Sequence, residues 1–392
     1  EVAAELDMDP LIQEDALYNY AILAYKLDQN AYDDAVEALE KYLDKYPNSK
    51  RKNVVYEYLV NVYLNTKNYT KALTELEKFA KKDSKLKAAY QVIAYNRGIE
   101  LFLKNDYRGA IEGFELVEKY PMNQDVSAKA VYWSADADYR LNNYVSAAKK
   151  YNAFLAMPST YLSGLRADAY YNLGYAYLAL GNDYASQKLN AFKEYLSLVK
   201  GDVKRKKADA YMRIADEYYR TGQDKFAIEN YKAALEFKSG AEDQALYYLA
   251  RSYGFDGKKD EKINALLDII NNYSGSKYTQ KAVQEVALTY YGAGNFDKAA
   301  RYFNQIITDY PNATIVKDAY HYLGDIAFKK GEYYEAEKQY RKILTEFTNN
   351  DSTCKREVAA LADVYRKQQF LVKIENLSKE FACADSISNQ VE

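Results

Sequence analysis

The sequence predicts an all-α solenoid of about ten helix-turn-helix units of about 37 residues, and three observations carry that reading. The first is a repeat. An aromatic residue, two others and Ala recur as Tyr32-Asp33-Asp34-Ala35, Tyr69-Thr70-Lys71-Ala72, Tyr107-Arg108-Gly109-Ala110, Tyr144-Val145-Ser146-Ala147, Phe296-Asp297-Lys298-Ala299 and Tyr333-Tyr334-Glu335-Ala336. The alanines stand 37, 38 and 37 residues apart in the first four copies and 37 apart in the last two. Ala227 falls between them, and degenerate copies centre on Lys188, Lys262 and Lys373. A fixed period in the range of about 20 to 50 residues marks a stacked array. The second observation is a small residue in the middle of the apolar run before each marker: Gly98, Ala135, Gly174, Ala215, Ala250, Ala287 and Gly324. The third is composition: 44 Tyr among 392 residues, with 14 Phe, 1 Trp, 5 Pro and 16 Gly. So many amphipathic rings with so few helix breakers favour helices with wide half-buried faces.

Each unit reads as two helices. Runs such as Tyr320 to Phe328 carry apolar residues at helical spacing. The small central residue admits a second helix at the short end of the usual interaxial range of about 8–10 Å, and the marker Ala supplies the matching gap. Asn68, Asn105, Asn143, Gly181, Gly222, Gly257, Gly294 and Gly331 follow the first helices, where left-handed backbone ends a helix. After the second helices come stops at Tyr46-Pro47-Asn48-Ser49, Tyr120-Pro121, Tyr273-Ser274-Gly275-Ser276 and Tyr310-Pro311-Asn312-Ala313, since Pro cannot continue a helix. The units predicted over a single solenoid spanning 1–392 are 12–49, 50–86, 87–124, 125–160, 161–202, 203–239, 240–276, 277–313, 314–350 and 351–385, with a tail at 386–392.

Composition excludes several classes of chemistry. His321 is the only histidine, so a two-His zinc site or a His acid–base pair cannot form within one chain. The balance of 54 Lys+Arg and 56 Asp+Glu lacks the basic excess of a nucleic-acid binder. The longest uncharged stretch, Ala169 to Asn182, is too short to span a bilayer. Gly292-Ala293-Gly294 reads as an interhelical turn, because a phosphate-cradling loop needs a preceding strand and a further glycine. The basic run Lys200 to Lys207 reads as a solvated approach to a helix start. The sequence therefore predicts no catalytic, cofactor-binding or metal site. The chain starts at Glu1, which leaves open a signal peptide or lipid anchor upstream.

Cys354 and Cys383 flank the last predicted hairpin, whose antiparallel helices bring both to the same end. A bridge there would staple a terminal unit that has a neighbour on one side only. Helix axes about 8–10 Å apart often leave Cα atoms beyond the limit of about 7 Å. A disulfide and two free thiols acting as small hydrophobes both remain open.

With Tyr170, Leu173, Gly174, Tyr177 and Gly181 in one unit, and Tyr320, Leu323, Gly324, Gly331, Tyr333, Ala336 and Tyr340 in another, the chain resembles tetratricopeptide repeats over residues 16 to 381. The resemblance implies a right-handed superhelix that binds a protein or peptide. The period of about 37 and the Tyr-Pro-Asn-Ser stop resemble the cell-envelope branch, such as Tol-Pal-associated repeat proteins and outer-membrane assembly lipoproteins, and imply a periplasmic location. The set of Lys, Asn, Asn, Lys and Arg by which some members clamp a chaperone's terminal carboxylate is poorly matched. Asn61, Asn96 and Lys129 are present, but Glu57 and Trp133 stand where outer cations belong.

In stacked hairpins the first helices line the concave wall. Counted from the small central residue, the expected groove comprises Tyr95, Asn96, Tyr132, Trp133, Asp136, Tyr139, Tyr171, Asn172, Tyr175, Arg213, Tyr219, Arg220, Tyr248 and Arg251. Tyr, Trp and Arg are the types enriched in binding hot spots, and the three arginines are expected to seek acceptors on a partner. The function this predicts is a non-enzymatic protein-interaction scaffold in a bacterial cell envelope. A cytoplasmic adaptor, a carbohydrate or small-ligand capture protein, and a regulatory segment of a longer protein are the alternatives.

Overall fold

A computed structural model of the protein describes residues 9–27, 32–65, 67–78, 82–158, 164–347 and 351–384; the predicted tail at 386–392 lies outside them. The described residues form twenty α-helices and no strand. They divide into two compact units, Glu1–Gly201 and Asp202–Glu392.

In the first unit, five hairpins follow one another: α1 (Pro10–Leu27) with α2 (Tyr32–Lys45), α3 (Lys52–Asn65) with α4 (Tyr69–Glu77), and α5 (Ser84–Leu103) with α6 (Tyr107–Leu116). Then come α7 (Gln124–Arg140) with α8 (Tyr144–Ala156), and α9 (Arg166–Leu180) with α10 (Ala185–Leu198). The second unit holds α11 (Lys204–Arg220) with α12 (Asp224–Leu235), α13 (Glu242–Phe255) with α14 (Lys259–Asn272), and α15 (Thr279–Gly292) with α16 (Phe296–Asp309). It ends in α17 (Val316–Lys330) with α18 (Tyr333–Glu346), and α19 (Asp351–Lys367) with α20 (Leu371–Glu380). Within each unit every helix packs on the next, giving an all-α superhelical repeat fold.

The repeat markers are the contact points. Ala35, Ala72, Ala110, Ala147, Ala227, Ala299 and Ala336 are all fully buried. At the three degenerate positions Lys replaces Ala: Lys188 is buried, the stem of Lys262 lies over Gly254 while its ammonium pairs with Glu285 at 2.6 Å, and Lys373 is exposed and pairs with Glu337 at 3.3 Å. A long aliphatic stem with a charged tip can cover apolar surface in this way. The central small residues are notches for rings. A Cβ built on Gly98 would stand 2.5 Å from the ring of Phe114, one on Gly174 2.8 Å from Phe192, and one on Gly324 2.6 Å from Tyr340. A Cβ built on Gly113 would stand 2.9 Å from the Gly98 backbone. Those three rings are themselves buried and cannot swing away.

The helix ends correct one expectation. Gly331, Gly222, Gly257, Gly294 and Asn105 have positive φ as the composition suggests. In two hairpins the left-handed residue is instead the one before the expected Asn: Lys67 and Asn142, at φ 57° and 62°. Asn68 is thereby freed to cap the following helix, its side chain accepting from the Lys71 N–H at 3.4 Å.

The stops are pinned by hydrogen bonds back to the preceding first helix. Ser49 donates to Glu14 at 2.7 Å, and the Tyr42 hydroxyl donates to the same carboxylate at 2.9 Å; Ser276 donates to Asp243 at 2.5 Å. The bonds from Ser49 and Tyr42 hold Glu14 below the usual carboxylate range, and burial pushes Tyr42 up to about 12. At the other end of the chain, Cys354 in α19 and Cys383 beyond α20 are joined in a disulfide, with Cα atoms 6.1 Å apart. The short 3-10 turn at Ala382–Ala384 folds back onto α19 and brings the two thiols within reach.

Two outcomes follow from this packing. Gly98→Ala and Gly324→Ala each lower the unfolding free energy by about 1–3 kcal/mol, because the overpacking exceeds the roughly 1 kcal/mol gained from helix propensity. Gly292→Ala, with nothing within 4 Å of its Cβ, raises it by about 0.5 kcal/mol, and denaturant titration reads all three. Reduction of Cys354–Cys383 speeds amide exchange in α19 and α20 by about a hundredfold, from the roughly 3 kcal/mol such a loop contributes, and leaves α1 to α10 unchanged.

Candidate functional site

In the first unit the predicted residues lie on α5, α7 and α9, the first helices of three successive hairpins. Tyr95, Asn96, Trp133, Asp136, Tyr139, Tyr171, Asn172 and Tyr175 are half-buried. Tyr132 differs from expectation: it is only 6% exposed, wedged among Trp133, Tyr151 and Phe154 with ring centroids 5.3–5.8 Å away. Its part in the site is to position Asn172, whose Nδ2 donates to the Tyr132 hydroxyl at 3.2 Å.

Asp136, Tyr139, Asn172 and Tyr175 come together around a cleft of about 360 Å³, joined by Arg140, which sequence reasoning had not selected. Its position five residues after Ala135 is the one that selects Arg220 after Ala215, so the same register would have found it. Asp136 is the chemical centre of this cleft. It accepts from the Tyr151 hydroxyl at 3.3 Å and faces Arg140 Nε at 3.5 Å. Burial raises its pKa above the ordinary 3.8, with Arg140 pulling in the opposite direction. Burial also raises Tyr139 and Tyr151, which stay protonated donors at neutral pH. The cleft thus offers one desolvated acceptor, one amide and one partly exposed guanidinium between phenol rings. Asn96 is separate, lining a smaller hollow of about 240 Å³ with Tyr69, Ile99 and Glu100.

In the second unit the predicted cations behave differently from one another. Arg213 bonds to Asp209 at 3.3 Å and Asp216 at 2.8 Å on its own helix. Arg220 is exposed and holds Glu217 at 2.5 Å. Carboxylates three or four residues away on α11 engage both, as helical spacing favours. Arg251 has no such acid beside it. Its guanidinium lies over the ring of Tyr219 at 5.7 Å, and Tyr219 meets Tyr248 edge-on at 5.8 Å. His321, the lone histidine, places Nδ1 2.9 Å from Glu357, a fully buried carboxylate that also accepts from Arg356 at 2.6 Å. It thereby ties α17 to α19. Among the described residues no group of three His, Cys, Asp or Glu side chains is placed to hold a metal ion, and no helix is long and apolar enough to cross a membrane.

A rule links groove to core. In the hairpins of α7–α8, α11–α12 and α17–α18, the residue after the central one is Asp: Asp136, Asp216 and Asp325. In those same hairpins the buried residue facing the notch is Tyr: Tyr151, Tyr231 and Tyr340. Tyr151 and Tyr231 donate to their aspartates at 3.3 and 2.8 Å, and Asp325 adds to the burial that raises Tyr340. In the other seven the buried residue is Leu39, Leu76, Phe114, Phe192, Leu266, Phe303 or Leu377, and no Asp precedes it: the groove position holds Ala24, Asn61, Ile99, Tyr175, Arg251, Leu288 or Ala362.

Stacked helix hairpins with aromatic and polar side chains along their first helices define a helical-repeat scaffold for protein interaction. Three models described as tetratricopeptide repeat match the chain: one over 287–351, one over 15–49 and 244–276, and one over 167–189 and 208–240. Over those residues the chain carries tetratricopeptide repeats. The C-terminal part of a TPR repeat-containing protein from Cytophaga hutchinsonii has a similar solved structure, 17% identical with a TM-score of 0.50, covering 68% of this chain and 99% of that one. A tetratricopeptide repeat protein from Parabacteroides merdae is 18% identical with a TM-score of 0.39, covering 66% and 98%. No curated protein matches the chain.

The elevated pKa of Asp136 gives a signed pH effect. A carboxyl that binds its proton more tightly when folded stabilises the fold most at low pH, and that contribution is lost as pH rises through and above the ordinary value of 3.8. Asp136→Asn keeps an acceptor for Tyr151 and removes the charge. Its thermal midpoint at pH 7 is therefore about 1–2 °C above wild type, and the gap closes as the pH is lowered into the acid range.

Proposed function

We propose that this protein is a non-catalytic scaffold that holds a protein or peptide partner along the groove side of its first helices, in the periplasm or cell envelope. The cleft around Asp136, lined from two successive first helices, carries the reading. Its acceptor, amide and guanidinium can bond the polar groups of a peptide, and its phenol rings supply contact area with little conformational entropy to lose. The Cys354–Cys383 bridge supports the compartment, because disulfides persist where the surroundings are oxidising. The repeat period and the Tyr-Pro-Asn-Ser stop, which resemble envelope members of the family, support it too.

A photo-crosslinker placed at Tyr139, compared with one at Tyr334, which is 82% exposed on the second helix α18, tests the groove in envelope extracts. The partner is captured from position 139 and not from 334, and the Tyr139→Ala plus Arg140→Glu variant binds it about tenfold more weakly. Equal capture at both positions, or undiminished binding by the variant, overturns the reading.

A further inference from the structure

Resting on that reading, we infer that Arg251 is the docking point for an acidic side chain of the partner. The coupling between groove and core isolates this residue. At the same position in three other hairpins an Asp sits in the groove where the core presents a Tyr. In the α13–α14 hairpin the buried residue is Leu266, fully enclosed and without a donor, so nothing in the core calls for a polar group above it. A guanidinium there has no structural task comparable to that of Asp216.

Its surroundings leave the charge unanswered. Among the described residues no carboxylate stands within ion-pair distance of Arg251. Glu285 pairs with Lys262 at 2.6 Å, which leaves the guanidinium without an ion-pair partner. Along the same unit, Arg213, Arg220 and Lys329 are each held by carboxylates of their own helices. Arg251 is half-buried over the Tyr219 ring, which fixes the guanidinium plane and limits its hydration, conditions under which a carboxylate bonds strongly. Beside it Phe255 is 65% exposed, its ring 5.9 Å from Tyr219, ready to cover an apolar neighbour of the acid. A single guanidinium suits a side-chain carboxylate within a peptide better than a chain terminus, whose clamp takes several cations.

The test uses the full chain and an array of nonapeptides of varied sequence, blocked at both ends, with Glu, Gln or Lys fixed at the centre. Wild type retains the Glu members about tenfold over the Gln members. Arg251→Lys keeps part of that preference, and Arg251→Glu transfers it to Lys, with unchanged thermal midpoints showing that both variants fold. Equal retention of Glu and Gln peptides by wild type, or a Glu preference surviving in Arg251→Glu, overturns the inference and leaves the groove reading standing. Retention of no peptide by wild type overturns both.

Discussion

The lodging of one buried side chain per hairpin against the middle of the first helix is the constraint from which the rest follows. The helices pack closely because Gly98, Gly174 and Gly324 leave no Cβ in the path of Phe114, Phe192 and Tyr340. That side chain must be large enough to fill the notch, and Leu, Phe and Tyr all do so. The choice is not neutral for the surface. A Tyr in the notch brings a hydroxyl into a place without water, where an unpaired donor costs about 1–3 kcal/mol. An Asp one residue beyond the notch answers it. The core residue thus sets the charge of the groove above it, which is why Asp136 and Asp216 face the groove although their bonds point inward.

The same logic accounts for much of the tyrosine excess. Tyr42, Tyr63, Tyr90 and Tyr365 are buried rings whose hydroxyls reach Glu14, Glu40, Glu77 and Glu337 on neighbouring helices. Each buries a large apolar surface and ends in a directional bond, a combination that Phe cannot supply. Such bonds cross from one helix to another and fix how far successive hairpins slide. They also consume acids that could otherwise pair with cations.

Much was legible in the sequence because stacked repeats are local. Every marker Ala with a described side chain is a contact point, and the central small residues and hairpin order are read directly from spacing. The site was legible in part: Asp136, Tyr139, Asn172 and Tyr175 converge as the register implies. Tyr132 was not, since its burial depends on Tyr151 and Phe154 from the second helix, which no count along the first helix contains. The intrahelical partners of Arg213 and Arg220 were not either, because the register asks which face a residue occupies and ignores the acids three or four places away. The relation of Asp136 to Tyr151 and of Asp216 to Tyr231 was present in the letters, at a separation of 15 residues, but acquires meaning only once a hydrogen bond is seen to span it.

The sequence by itself determined the class of fold and excluded a two-His metal site within one chain, because period, breakers and composition act within a few dozen residues. The tertiary structure decided which rings are core and which are groove, and which charges are already answered. It also decided that Cys354 and Cys383 meet, since the turn after α20 brings their Cα atoms to 6.1 Å. Those outcomes depend on distances of a few ångströms between side chains on different helices, and spacing along one chain does not encode them.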